Sequence, residues 1–203
     1  MVIRVYNMED YERTANMKVL MLISDGFEEV EALTTVDLLR RAGIEADMCS
    51  MTGESVLHGA RRIDVYANCV FEDIMPVDTA LEKYVGVVLP GGLPNAHNLR
   101  DDARVIGVLK AFAAAGKITA AICAAPCALE AAGLLDGIEA TSYPGCIDER
   151  RCIYKEKSTV VSGNIVTSRG VGTAIDFALT LIGLLAGCEA ANKVAESILA
   201  KRR

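Results

Sequence analysis

Histidine is scarce in this chain. Only His58 and His97 occur in 203 residues, and they lie far apart. Neither joins a cysteine cluster, and the pairs Cys123/Cys127 and Cys146/Cys152 lack the spacing of structural zinc sites, so no metal is expected. Long apolar runs are also missing. The longest, from Ile175 to Leu185, contains Asp176 and falls well short of the roughly 20 residues that span a bilayer. Lys and Arg form no dense run before the closing Lys201-Arg202-Arg203, and the net charge is -6 with a pI near 5.0. That balance leaves no basic footprint for nucleic acid or an anionic membrane. A small soluble substrate or a protein partner fits better. Internal repeats and low-complexity linkers are absent.

What is present describes one globular domain: 52% hydrophobic and 24% charged residues over a length that buries a sizeable core. Seven cysteines, an odd number at irregular spacing, sit in a chain whose first residues alternate polar and apolar without a hydrophobic leader. A reducing, cytoplasmic compartment is the expectation. Residues 1–16 are polar and aperiodic, so the single domain is expected over 17–203. The preceding stretch is either an extension, disordered in one reading, or the product of an upstream start when Met17 is the initiator.

Lys18 to Ile23 is a short apolar run that reads as a buried strand, closed by the turn signal Ser24-Asp25-Gly26. An amphipathic helix is predicted from Val30 to Arg41, stopped at Gly43, and a strand from Ile44 to Cys49. The same alternation continues with a strand at Tyr84 to Leu89, a helix at Ala103 to Ala115 and a strand at Ile118 to Ile122. A short strand or hairpin is expected at Ile63 to Tyr66, and a pairing of Thr159–Val161 with Ile165–Thr167 across Ser162-Gly163-Asn164. Two helices, Thr173 to Leu185 and Ala190 to Ala200, end the chain. Strands alternating with helices imply an α/β fold with a mostly parallel sheet.

In open α/β sheets the ligand crevice lies beyond the carboxyl ends of the strands. Three post-strand segments stand out there. Gly26-Phe27-Glu28-Glu29-Val30-Glu31 puts three carboxylates at a helix start. For Glu28 and Glu29 a solvated acidic end opposing the helix dipole is the simplest account, whereas Glu31 lies one turn further along. Pro90-Gly91-Gly92 lets the backbone bend sharply and present N–H groups to an anion. Ala120-Ala121-Ile122-Cys123-Ala124-Ala125-Pro126 runs an apolar strand into a cysteine and then a helix, the pattern of a nucleophile elbow. The N–H groups and dipole at such a turn favour a thiolate, and lowering a cysteine pKa from about 8.5 to below ~6 ionises nearly all of it at neutral pH. If Glu31 reaches that thiolate, two charges about 4 Å apart repel by roughly 4 kcal/mol at an effective dielectric of about 20. Glu31 is then expected to hold a proton and donate it in a hydrogen bond.

The chain resembles the ThiJ/PfpI superfamily, in the branch of the parkinsonism-associated deglycase and its bacterial relatives. Five motifs carry the resemblance in order: Gly26-Phe-Glu-Glu-Val-Glu31, Leu38-Leu-Arg-Arg-Ala-Gly43, Leu89-Pro-Gly-Gly92, Ala121-Ile-Cys-Ala-Ala-Pro126 and Thr167-Ser-Arg-Gly170. It implies a flavodoxin-like, doubly wound sandwich with helices on both faces, commonly as a homodimer. It also implies a reactive cysteine at Cys123, an acidic partner at Glu31, and oxyanion-binding N–H groups at Gly92 and Ala124. Gly91, Tyr143 and Arg169 complete the expected substrate-binding set. The implied activity is cofactor-free glyoxalase or deglycase chemistry on methylglyoxal, glyoxal or their adducts on proteins and nucleotides. A non-enzymatic redox sensor or oxidative-stress chaperone using the same cysteine is the alternative.

Tyr143 stands where the best-known member of the branch has a histidine, which argues against a histidine shuttle. His97, which follows the glycine turn, is a candidate to replace it, although a loop histidine with no catalytic role is the simpler account. Ala124 stands where the protease-like branch completes a triad with histidine, which argues against peptidase activity. Val171 replaces a usual proline, and Asn95 a usual glycine, where asparagine tolerates left-handed backbone. Gly170-Val-Gly172 lacks the third glycine of a dinucleotide loop. Cys127 and Cys146 are the candidates for a thiol that resolves oxidised Cys123.

Overall fold

The computed structural model describes Thr14 and residues 16–200. Strand β1 (Lys18–Ile23) is followed by helix α1 (Glu29–Arg41) and β2 (Glu45–Ser50). A short hairpin, β3 (Val56–His58) and β4 (Asp64–Tyr66), leads into β5 (Cys69–Val70). A 3-10 turn and the short helix α2 (Val77–Lys83) return the chain to β6 (Gly86–Leu89), α3 (Asn95–Asp101), α4 (Ala103–Ala114) and β7 (Ile118–Ile122). After α5 (Pro126–Ala131) come the two-residue strands β8 (Glu139–Ala140) and β9 (Ile153–Tyr154), then β10 (Thr159–Ser162), β11 (Ile165–Ser168), α6 (Ala174–Ala186) and α7 (Cys188–Ser197).

The main sheet has the order β10-β11-β7-β6-β1-β2-β5. All its pairings are parallel except β10 with β11, the antiparallel hairpin expected across Gly163. The central strands are apolar on both sides because both faces are covered. In β1, Leu20 and Leu22 enter one core with α4, α5 and Tyr84, while Val19, Met21 and Ile23 enter the other with α1, α6 and Val194 of α7. Each such side chain contributes about 1.5–3 kcal/mol by leaving water. This is the flavodoxin-like α/β architecture. No helix among the described residues is long and apolar enough to cross a membrane.

Some expected bounds move for visible reasons. Tyr84 closes α2, its N–H bonding the Ala80 carbonyl at 2.9 Å, so β6 begins only at Gly86. Helix α7 starts earlier than expected, at Cys188, because Gly187 at φ 92° turns the chain straight out of α6. The expectation for residues 1–16 falls almost wholly outside the described residues.

The chain leaves β1 towards β2 on one side, while β6 and β7 follow on the other. That reversal opens a crevice beyond the carboxyl ends of β1 and β6. The segments following β1, β6 and β7 meet there.

Candidate active site

Cys123 is the first residue beyond β7 and has φ 66°. A left-handed backbone costs a non-glycine residue about 1–2 kcal/mol, so something must hold it. Both of its backbone groups are tied: its N–H donates to the Ser168 carbonyl (3.0 Å), and its carbonyl accepts from the Tyr143 N–H (2.7 Å). Helix α5 then starts with Pro126 as its first residue, where a missing N–H costs nothing. The sulfur is half-buried, and the N–H groups of Gly92 and Ala124 favour its thiolate.

Glu31 is fully buried in the first turn of α1. Its Oε2 accepts the Gly91 N–H at 2.8 Å, while Oε1 has no partner in bonding geometry. The Cys123 sulfur is a polar neighbour of this carboxyl. Glycine is required at position 91: a Cβ there would sit 2.6 Å from the Cys123 Cβ, 2.7 Å from Glu31 Oε2 and 3.1 Å from the sulfur. Gly92, at φ 88°, turns its own N–H to the same sulfur.

Burial pushes the Glu31 carboxyl up to about 7, against the lowering effects of the neighbouring Cys123 thiol and the Gly91 N–H. Burial, then the charge of an ionised Glu31, pushes the Cys123 thiol up to about 12, while the Ala124 and Gly92 N–H groups pull it down. The expected low-pKa thiolate is therefore not a property of Cys123 alone. When Glu31 holds a proton, its opposing charge vanishes and the two N–H groups remain. The groups titrate as a pair that keeps one proton between them.

Above them lies an open cavity of about 750 Å³ lined by, among others, Glu28, Arg61, Cys123, Tyr143, Cys146 and Arg169. Gly92 and Ala124 also border it. Gly91 does not, lying behind the sulfur and the carboxylate. Cys146 thus shares the cavity with Cys123, whereas Cys127 is buried with its thiol 3.6 Å from the Ala96 carbonyl. His97 is exposed on α3 and absent from the lining. Among the described residues no three His, Cys, Asp or Glu side chains gather to hold a metal.

Two residues behave differently from the sequence reading. Glu29 is not a solvated helix end: it is buried, and its Oε1 accepts the N–H groups of Arg61 (2.5 Å) and Ile63 (3.4 Å). It bolts the β3–β4 turn onto α1, which brings Arg61 to the cavity wall, 3.8 Å from Glu28. No local pattern points to Arg61, since only this long-range contact takes it there. Asn95 has no left-handed backbone. It opens α3 and is fully buried, with Oδ1 accepting from Ser24 N–H (2.7 Å) and Nδ2 donating to the Pro90 (2.7 Å) and Gly91 (3.0 Å) carbonyls. Its side chain therefore holds the glycine turn against β1. Asn95→Ala strands these groups and is expected to cost about 2–4 kcal/mol, measured by urea unfolding; a loss under ~1 kcal/mol would remove that role.

Fold and site geometry together put the chain among α/β proteins built around an elbow cysteine. The DJ-1/PfpI family pattern matches residues 17–184. The Parkinson disease protein 7 homolog of Danio rerio is 35% identical over 191 residues, 92% of this chain and 99% of that protein. Protein dj-1beta of Drosophila melanogaster is 34% identical over 183 residues, 89% of this chain and 95% of its own length. Among solved structures, Drosophila melanogaster DJ-1beta superposes with a TM-score of 0.84 at 32% identity, covering 92% of this chain and all of that one (100%). Toxoplasma gondii DJ-1 in its oxidized form gives 0.83 at 36% identity, with the same coverage. The chain belongs to the DJ-1/PfpI family.

Proposed function

We propose that this protein is a cofactor-free enzyme that uses Cys123 to convert methylglyoxal, glyoxal or their early adducts on proteins and nucleotides. The observation that carries it is the convergence of the Gly92 and Ala124 N–H groups and the Glu31 carboxyl on one sulfur beneath an open cavity. The pair passes its shared proton to the carboxyl, and the thiolate adds to the aldehyde carbon of methylglyoxal. The same N–H groups stabilise the developing oxyanion. Protonated Glu31 gives its proton to that oxyanion, and the freed carboxylate takes the proton from the same carbon and returns it to the neighbouring one, while the hydroxyl proton moves to the former ketone oxygen, which leaves a thioester. Water cleaves the thioester to lactate and restores the thiol. Tyr143 and Arg169 line the path of the substrate, and no histidine is needed.

The test is lactate formation from methylglyoxal without glutathione, in a non-amine buffer. Turnover is expected, with kcat/KM rising with pH to a plateau as the doubly protonated pair loses its first proton, half-maximal at or below about 7. No lactate from the intact protein removes the glyoxalase reading; a rate that falls over this range removes the shared-proton mechanism.

A redox sensor or stress chaperone is the second reading, supported by the oxidized form of the Toxoplasma gondii relative. Slow turnover alongside rapid peroxide oxidation of Cys123 to a sulfinate would favour it. A cytoplasmic homodimer is the assembly we propose, in keeping with the family resemblance and seven free cysteines. Sedimentation at micromolar concentration tests its stoichiometry.

A further inference from the structure

The sheet brings together a second pair of thiols, away from the candidate active site. Cys49 of β2 and Cys69 of β5 are directly paired residues of adjacent parallel strands. Residues so paired point to the same face, and both thiols lie in the same core, with Tyr84, Phe71 and Ile74. Neighbouring strands run about 4.8 Å apart, inside the roughly 4.4–6.8 Å between Cα atoms that a disulfide spans. The two differ in access: Cys49 is fully buried, and Cys69 is half-exposed on the edge strand.

They also differ in chemistry. The neighbouring Cys49 thiol holds the Cys69 pKa below its ordinary value, against its burial and the Asp47 charge, with help from Tyr84 and the Lys83 ammonium. The Cys49 thiol is pushed up, first by the facing Cys69 sulfur and then by burial. One sulfur is the better nucleophile and reachable from solvent; the other is a protonated neighbour held against it. Three strand spacings separate β2 from β7 in the sheet order, roughly 14 Å, so this pair does not resolve oxidised Cys123.

We propose that Cys49 and Cys69 form a peroxide-reactive dithiol that closes reversibly to a cross-strand disulfide. The Cys69 thiolate attacks hydrogen peroxide, forming an S–O bond and expelling hydroxide. The Cys49 thiol then attacks the sulfenic sulfur, forming the S–S bond and releasing water. Overall two thiols lose two electrons and two protons, and one peroxide becomes two waters. A dithiol reductant reverses the closure. The ring so formed encloses the β3–β4 hairpin, whose turn carries the Ala60 and Arg61 of the cavity wall.

The full-length protein is exposed to graded hydrogen peroxide, blocked by alkylation without reduction and digested with trypsin. Cys49 and Cys69 fall in separate peptides, residues 42–61 and 63–83. A cross-link between these peptides is expected to account for more than half of Cys69, and dithiothreitol should abolish it. In Cys49→Ser, Cys69 should accumulate sulfenic acid captured by dimedone, at least several-fold above the intact protein. Cys69→Ser, at the half-exposed position, should lose the cross-link while keeping the circular-dichroism spectrum. The proposal is overturned by any of three results: Cys69 fully alkylatable at peroxide levels that oxidise Cys123, Cys69 oxidised without a cross-link in the intact chain, or Cys69 joined to another cysteine.

Discussion

Cys123→Ser is expected to lower lactate formation from methylglyoxal by at least about 10³-fold while leaving the fold intact. A serine hydroxyl in this setting has no group basic enough to ionise it, so the covalent route closes even though its shape is kept. Cys123→Gly adds a stability readout. The native residue occupies a left-handed backbone at φ 66°, which glycine adopts freely. The glycine variant is therefore expected to be about 1 kcal/mol more stable than the serine variant, measured by urea unfolding, and equally inactive. Substantial turnover in Cys123→Ser would move the chemistry to another residue. A glycine variant less stable than the serine one would show that no strain is held at the elbow.

Glu31→Gln is expected to lower the same rate by about 10²–10³-fold, because the amide neither accepts the thiol proton nor moves one across the substrate. It also has an activity-independent signature. In the folded protein the carboxyl is raised from 4.5 to about 7. Below about 4.5 it is neutral in both folded and unfolded chains, so no penalty applies. As pH rises the unfolded chain loses its proton first, and stability falls until the folded carboxyl ionises near 7. The loss over that window amounts to about 3 kcal/mol. Stability of the native protein should thus decline between pH 4.5 and 7 relative to Glu31→Gln, measured by parallel urea titrations. Equal slopes in the two proteins would mean that Glu31 is not held neutral by burial.

Much of the framework was legible because it rests on local rules. The run from Lys18 to Ile23 is apolar in every residue but the first, as a strand covered on both faces must be, and its bounds match the structure. Ile118–Ile122 is equally clear. Helix α2, α3 and the two-residue strands β5, β8 and β9 were not foreseen, since segments this short carry too few residues to display a period. Glu29 and Asn95 were misjudged for a different reason. Each makes hydrogen bonds to residues that are remote in sequence or to a loop whose path was unknown, and no local pattern reports such partners.

By itself, then, the sequence determined the alternation of strands and helices, the elbow at Cys123 and the post-strand segments from which a site would be built. Periodicity, glycine and proline act over a few residues, so they can be read along the chain. Tertiary structure alone decided that Glu31 is sealed from water beside the sulfur, that Arg61 reaches the cavity from a hairpin, and that Cys49 meets Cys69 across two strands. Desolvation and through-space proximity are properties of the packed sheet, and residues 20 to 92 positions apart acquire them only when the chain has folded.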